Sequence, residues 1–381
     1  MLKYLLPLTI IVIHINSYAA KTCLAADNAC YTQVKDIKGN FLFQKLQETQ
    51  GLKVCEKADD KCFGILNGEL TKKAMHSYYI PYKPTEMPWD VESKTIILVH
   101  GLSDSPFYMK EIAESMHNKG FNILSVLLAG HGNSTENGPM DLVDIKFKDW
   151  QENLIDSVLF SLWVSDSIHF IGFSTGSALI TNFLVKHKIK KHKNSVLISP
   201  AIELKQAKML ILGSLIYGKD HIVSEPKKFG HGARYLFYPL NAPNQLRLLN
   251  KETKKLMKKY KIDSPVLSIF AASEDTFDVA SVNTRLKDNV ENYISVVLGN
   301  PRAAIANPEN SLYEDKKFKK NQIKGIENSL VNKDIDFQLL ENQYVEHSSP
   351  LSGKTAFRGE FESVQEHELV LDIIHEFLIN K

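Results

Sequence analysis

Between Phe170 and Ile180 the chain reads FIGFSTGSALI, and the serine at its centre is the residue whose setting could do chemistry. Gly172-Phe173-Ser174-Thr175-Gly176 fits G-x-S-x-G, the pattern of a nucleophile elbow. Glycines on both sides leave room for a turn too tight for side chains, with a hydroxyl held at its tip. The five residues alone form a common pattern, and Ser174 would serve equally as a small residue in an ordinary turn. The flanking sequence favours the chemical reading. SIHFIGF ahead of the serine is apolar enough for a central strand, and GSALITNFL after it is helical, which is the strand–turn–helix context the pattern requires. The amide of Thr175 then opens a helix, where backbone N–H groups lack intrahelical partners and can receive developing negative charge.

A serine hydroxyl at neutral pH needs a base, and the base needs an orienting acid. If the order along the chain is serine, acid, histidine, the histidines that remain are His347, His367 and His375. His367 and His375 fall in the closing helical stretch and read as solvated-face residues. His347 ends the strand-like run FQLLENQYVE, just before the loop SSPLSG, and is the expected base. The acid is expected after the apolar run PVLSIFAAS, where SEDTFD supplies Asp275 first, with Asp278 and then Glu274 as alternatives. A second backbone donor is expected from TIILVHGLSDSP, at the amide of Leu102. His100, closing that strand, reads as a structural hydrogen-bonder rather than an acid or base. Two preorganised amides, Leu102 and Thr175, would stabilise a tetrahedral oxyanion.

The elements that must position these groups alternate along the chain. TIILVH is a buried-strand run, MKEIAESMHNKG a helix ending at Gly120, and FNILSVLL the next strand. FKDWQENLIDSVLFSLW is helical, followed by SIHFIGF, the helix after Ser174 and the strand SVLISP. This rhythm implies an α/β fold: an open, mostly parallel sheet with helices on both faces. From about 202 to 262 it breaks into helical stretches, including MLILGSLIYG and QLRLLNKETKKLMKKYK, with no good strand, which reads as a helical cap over the carboxyl edge of the sheet. Met209 to Tyr217 is apolar and either lines an acyl pocket or packs on the sheet as core. A second insert, about 280 to 335, is rich in Asn and Lys, with one strand candidate at Tyr293–Leu298. The closing helix, from about Glu362, carries one apolar face of Leu369, Val370, Ile373, Ile374, Phe377 and Leu378.

HGLSDSPFYM, LLAGHGNST, GFSTGSA, SEDTFD and EHSSPL, in that order, resemble the α/β-hydrolase superfamily, and within it the carboxylesterase, lysophospholipase and monoacylglycerol lipase-like group. The resemblance runs from Lys94 to the C-terminus, with Ala129 standing where members often carry proline. It implies a Ser-Asp-His triad at Ser174, Asp275 and His347, an oxyanion hole at Leu102 and Thr175, and no cofactor or metal. The expected activity is hydrolysis of carboxylic esters, of lipid acyl type, through an acyl-enzyme. A serine aminopeptidase on the same fold is an alternative, though no obvious acidic cluster in the cap supplies a site for a substrate ammonium. A non-catalytic binding protein on a hydrolase scaffold is another, but such scaffolds tend to lose triad members, and this chain has a candidate for every role.

At 381 residues the chain is long enough for one enlarged domain, and its formal charge of +2 argues against a nucleic-acid partner. No P-loop, H-E-x-x-H or paired zinc ligands occur. The first 19 residues, with Lys3, an apolar run from Leu5 to Ile13 and Ser17-Tyr18-Ala19, read as a secretory signal peptide and so imply an exported protein. Residues 20–88 form a cysteine-bearing segment that can include the first strands of the sheet, and 89–381 the main domain. Cys23, Cys30, Cys55 and Cys62 form two equally spaced pairs and are expected to make two disulfides, of undetermined connectivity. The basic stretches KKLMKKYK and KKFKK either approach an anionic membrane surface or are simply solvated faces. The sequence leaves the oligomeric state open.

Overall fold

The computed structural model describes residues 41–66, 69–70, 75–82, 93–133, 138–205, 207–224, 235, 237–271, 277–298 and 364–379. The chain divides into two compact units, Met1–Lys45 and Leu46–Lys381, and every element named below belongs to the second. Four short strands come first: β1 Lys53–Val54, β2 Ile65–Leu66, β3 Glu69–Leu70 and β4 Tyr78–Ile80. Then strands and helices alternate: β5 Lys94–Val99, α1 Lys110–Asn118, β6 Asn122–Val126, α2 Phe147–Val164, β7 Ser167–Phe173, α3 Thr175–Lys186 and β8 His192–Ile198. The cap follows as α4 Ala207–Tyr217, β9 Ile222–Ser224, β10 Phe237–Pro239 and α5 Asn241–Met257. The last elements are β11 Val266–Ala271, α6 Val279–Asn289, β12 Tyr293–Leu298 and α7 Val364–Ile379.

Eight strands form one sheet in the order β1-β4-β6-β5-β7-β8-β11-β12. From β6 to β12 every pairing is parallel, while β4 meets β6 antiparallel, Tyr79 opposite Leu124. The expected α/β architecture is therefore present. Its strands are covered on both faces, which is why they read as unbroken apolar runs rather than as alternating ones. Ile96, Ile97, Leu98 and Val99 of β5 are fully buried, as are Ile168, Phe170 and Ile171 of β7. Helix α3 is buried along its length from Thr175 to Val185, so it is apolar or small all round. Helix α1 buries Ile112, Ala113 and Met116 and leaves Glu111 and Glu114 half-buried, a surface helix with one apolar face.

Two features differ from the sequence reading, and a third removes one of its alternatives. The region from 202 to 262 does hold strands: β9 and β10 pair antiparallel, Tyr238 opposite Val223. Each is three residues long, too short for a periodic pattern to register. The stretch after residue 278 opens with α6, whose Asn, Lys and Asp content hid its buried face of Val279, Val282 and Leu286. Finally, Met209 to Tyr217 does not pack as core: no residue of α4 is buried.

The strand candidate Tyr293–Leu298 forms β12, at the edge of the sheet beside β11. FQLLENQYVE lies outside the described residues. The closing helix buries Val370, Ile373, Ile374, Phe377 and Leu378 as its pattern predicts, and Asn194 of β8 donates to its last carbonyls, at Phe377 and Leu378. Cys55 and Cys62 are disulfide-bonded, so one bridge closes within the second equally spaced pair. Cys23 and Cys30 lie outside the described residues. Among the described residues no helix is long and apolar enough to cross a membrane.

Candidate active site

Strand β7 delivers the chain to Ser174 at the carboxyl edge of the sheet, and α3 leaves from it. Ser174 holds φ 51° and ψ −112°, a conformation that an L-residue adopts only where the surroundings force it. The two glycines are forced by the same geometry. A Cβ on Gly172 would meet the Ser177 nitrogen and the Ile180 side chain at 2.7 Å. A Cβ on Gly176 would stand 2.1 Å from the carbonyl oxygen of Val99 and 2.7 Å from that of His100. Helix α3 is thus pressed against the end of β5, which sets the Thr175 amide beside the loop that starts at His100.

That loop carries the other expected donor. Gly101 lets it close onto the elbow: a Cβ there would meet the Phe173 ring at 3.0 Å and the Asp104 carboxylate at 2.5 Å. Ser103 sits at φ 64°, and Asp104 donates its amide to the Gly101 carbonyl at 3.3 Å, so residues 101–104 form a tight turn with Leu102 half-buried at its tip. The structure therefore brings the Leu102 and Thr175 loops together, each at the carboxyl end of a neighbouring central strand.

Beneath the elbow lies a support that the sequence did not reveal. The Ser174 amide donates to the Ile198 carbonyl at 2.9 Å, and the Ala201 amide donates to the Ser174 carbonyl at 3.3 Å. Ser177 Oγ sits 2.6 Å from the Gly172 carbonyl and 3.0 Å from that of Ile198, bridging the ends of β7 and β8. Ser199 takes φ 44° as the chain leaves β8, and its amide donates to Ile269 of β11 at 2.8 Å. The signal was the run ISPA after β8, where a proline and small residues follow a buried strand. Nothing in its composition says that it holds the nucleophile's backbone.

His100 is fully buried and bonded at both nitrogens. Nε2 accepts from the Leu128 amide at 3.2 Å, so the proton sits on Nδ1, which donates to the Gly101 carbonyl at 2.8 Å. Burial holds its pKa well below the usual histidine value, with the neighbouring His131 adding to the effect. His100 is a tie between β5, β6 and the Leu102 loop, as its place in the sequence implied. His131 stacks on Tyr235 with ring centroids 6.1 Å apart and lies edge-on to His100 at 5.0 Å. Burial lowers the His131 pKa to about 4 and raises that of Tyr235 to about 12, so both are neutral near pH 7. Tyr235 reaches down from the cap: its amide donates to the Ser103 carbonyl at 2.8 Å, and its hydroxyl accepts from Asn133 at 3.0 Å.

Asp275, Glu274 and His347 lie outside the described residues. Asp275 falls between Ala271, the end of β11, and Phe277, whose backbone bridges to Leu204; His347 falls between Leu298 and Val364. The alternative acid, Asp278, is occupied as the N-cap of α6, where its carboxylate accepts from the Ser281 amide at 3.2 Å and hydroxyl at 2.8 Å. His375 is half-buried beside Phe121, ring centroids 6.3 Å apart, rather than on a solvated face. Among the described residues no group of three or more His, Cys, Asp or Glu is placed to hold a metal ion. A cleft of about 340 Å³ lined by His187, Lys188, His192 and Asp263 opens at the amino edge of β8 and β11, the end of the sheet opposite Ser174.

The profile of a family described as serine aminopeptidase, S33, matches residues 91–225, a span containing Leu102, Ser174 and Thr175. No curated protein matches the chain. Solved structures similar to it include one of the metagenome-derived lipolytic enzymes LipS and LipT, 16% identical with a TM-score of 0.47, over 59% of this chain and 95% of that one. A soluble variant of monoglyceride lipase from Saccharomyces cerevisiae, in complex with a substrate analogue, is 11% identical with a TM-score of 0.47, over 64% of this chain and 90% of that one. The monoacylglycerol lipase of Paleococcus ferrophilus is 14% identical with a TM-score of 0.43, over 58% of this chain and 88% of that one. With β4 reversed at one side of a parallel sheet, and a strained serine between β7 and α3 inside the span that the family profile matches, the chain has the α/β-hydrolase fold.

Proposed function

We propose that the protein is an exported ester hydrolase that works through an acyl-enzyme on Ser174 and acts on lipid-type acyl esters. The observation that carries this reading is the Ser174 backbone at φ 51°, held between the Ile198 carbonyl and the Ala201 amide at the mouth of a helix. Strain of this kind persists only where the fold over-determines it, and it clusters at active sites. In the proposed reaction His347 takes the Ser174 proton while Asp275 orients the imidazole. Ser174 attacks the ester carbonyl, and the Leu102 and Thr175 amides hold the oxyanion. Protonated His347 then passes its proton to the departing alcohol, and water activated by the same imidazole releases the acid. The position of Asp275 four residues after Ala271, the end of β11, supports its role, because that strand ends at the same edge of the sheet as β7; the role of His347 rests on its place in the sequence.

The description of the matching family favours a second reading, removal of N-terminal residues from peptides. Such a substrate brings an ammonium group that needs an anionic partner. Helix α4, the first helix of the cap, has no carboxylate, which counts against this reading. The two are separated by offering chromogenic acyl esters of graded chain length and aminoacyl amides to the wild type and to Ser174→Ala. Ester turnover that rises with chain length and vanishes in Ser174→Ala supports the lipid-ester reading. Amide turnover without ester turnover replaces it with the peptidase.

A further inference from the structure

Helix α4 is inverted relative to an ordinary surface helix. Its part-buried side is made of Ala207, Leu210, Gly213 and Ser214, and a Cβ on Gly213 would already touch Leu240 at 3.1 Å. Its outward side carries Met209, Ile211, Leu212, Leu215, Ile216 and Tyr217, between 42 and 78% exposed. Soluble proteins scatter single apolar side chains over their surfaces. Six large ones on one helix of 11 residues form a contiguous patch of the kind that marks an interaction site. We propose that α4 is the surface by which the protein docks on a phospholipid bilayer, with the cap facing the lipid.

A bilayer suits this face better than a folded partner does. The apolar side chains project from a helix about 16 Å long. A bilayer needs no matching shape and takes apolar side chains to a depth of about 5–10 Å. Within α4 the charged residue is Lys208, which is exposed and free to meet an anionic headgroup; just past the other end Lys219 is in an ion pair with Asp144 and is followed by the exposed Asp220. At that end Tyr217 stacks on His221, ring centroids 4.8 Å apart, an amphipathic ring pair suited to the headgroup region. The basic stretch KKLMKKYK lies at the far end of α5, where Lys254 pairs with Glu203, so the docking face is the apolar ridge rather than that stretch.

The cap begins directly after Ala201, whose amide holds the Ser174 carbonyl. Docking through α4 would therefore bring the lipid to the element that follows the Ser174 support in the chain. That consequence deepens the ester-hydrolase reading and rests on it; the docking itself does not.

The test uses full-length protein carrying Ser174→Ala, so that lipid turnover cannot alter the vesicles. Flotation is measured with phosphatidylcholine vesicles and with vesicles in which roughly one-third of the lipid is phosphatidylglycerol. Binding to both is expected, stronger to the anionic set. Leu212→Ser, Leu215→Ser and Ile216→Ser together should lower it at least about tenfold without changing the thermal midpoint, because the face is exposed. Lys208→Glu should weaken binding to the anionic vesicles alone.

Absence of flotation with either lipid overturns the proposal, as does equal flotation by the triple variant. A dimer in gel filtration that the triple variant dissolves also overturns it, assigning the face to a second copy of the chain. Turnover of a water-soluble short-chain ester by protein with Ser174 intact is read separately. If it is absent while flotation holds, the ester reading fails and the docking surface stands.

Discussion

Gly176 stands with its Cα against the end of β5, where a Cβ would come within 2.1 Å of the Val99 carbonyl oxygen. The contact is with backbone on both sides, so neither partner can rotate away. It is what seats the first turn of α3 beside the Leu102 loop. Gly176→Ala is expected to push that turn off the strand, costing about 3 kcal/mol or more of stability and nearly all ester turnover. Chemical denaturation and initial rates check the two effects. A variant of wild-type stability and activity would mean that the close approach is not needed.

Ser177 is expected to matter although it touches no substrate. Its hydroxyl serves the Gly172 and Ile198 carbonyls together. Ser177→Ala removes that bridge while the Ile198 carbonyl keeps the Ser174 amide, a loss of about 1 kcal/mol. Turnover should fall with little change in KM, since the elbow loosens while the substrate site keeps its walls. Denaturant midpoints and kcat measured on one preparation separate the two.

His100 is placed to be mistaken for a catalytic base, and its pH behaviour shows why it is not one. Burial holds its pKa well below the ordinary value, and both nitrogens are engaged by backbone. His100→Gln keeps one hydrogen bond at most and disturbs the turn carrying Leu102. The expected result is a kcat lower by roughly tenfold, from a misplaced oxyanion donor, with the acid limb of the pH–rate profile unmoved. A shifted acid limb would put His100 in the chemistry.

The pH dependence of stability has a defined sign. His131 and His192 have pKa values lowered to about 4 and His169 to about 3, in each case chiefly by burial, against about 6.5 in an unfolded chain. Between those values the unfolded chain binds protons that the folded one does not. Stability from these groups is therefore complete above pH 6.5 and lost progressively as the pH falls toward 4. His169, edge-on to Phe121, has no hydrogen-bond partner at either ring nitrogen among the described residues, so replacing it removes a proton site without breaking a bond. His169→Leu should raise stability at pH 5 more than at pH 7.5, by urea unfolding at both. An equal change at the two values would contradict the assignment.

Much of this arrangement was legible before any coordinates. Strands such as TIILVH and SIHFIGF are buried on both faces, so their composition alone marks them, and the glycines beside Ser174 report a steric demand that the contacts of Gly172 and Gly176 account for. What stayed hidden depends on length or on partners distant in sequence. β9 and β10 are three residues each and exist through one another. The support at Ser199 and Ala201 consists of backbone bonds, to which side-chain identity is nearly blind. The direction in which α4 faces could not be read from a segment apolar on nearly every side, and that ambiguity left pocket lining and core packing equally open.

The central claim is that Ser174 forms the covalent intermediate, and trapping by a fluorophosphonate tests it most directly. The account predicts one adduct, mapped by mass spectrometry to the peptide containing Ser174, with ester turnover lost in step with labelling and no label on folded Ser174→Ala. Ester turnover by folded Ser174→Ala, or a labelled serine elsewhere accompanying the loss of activity, would contradict it.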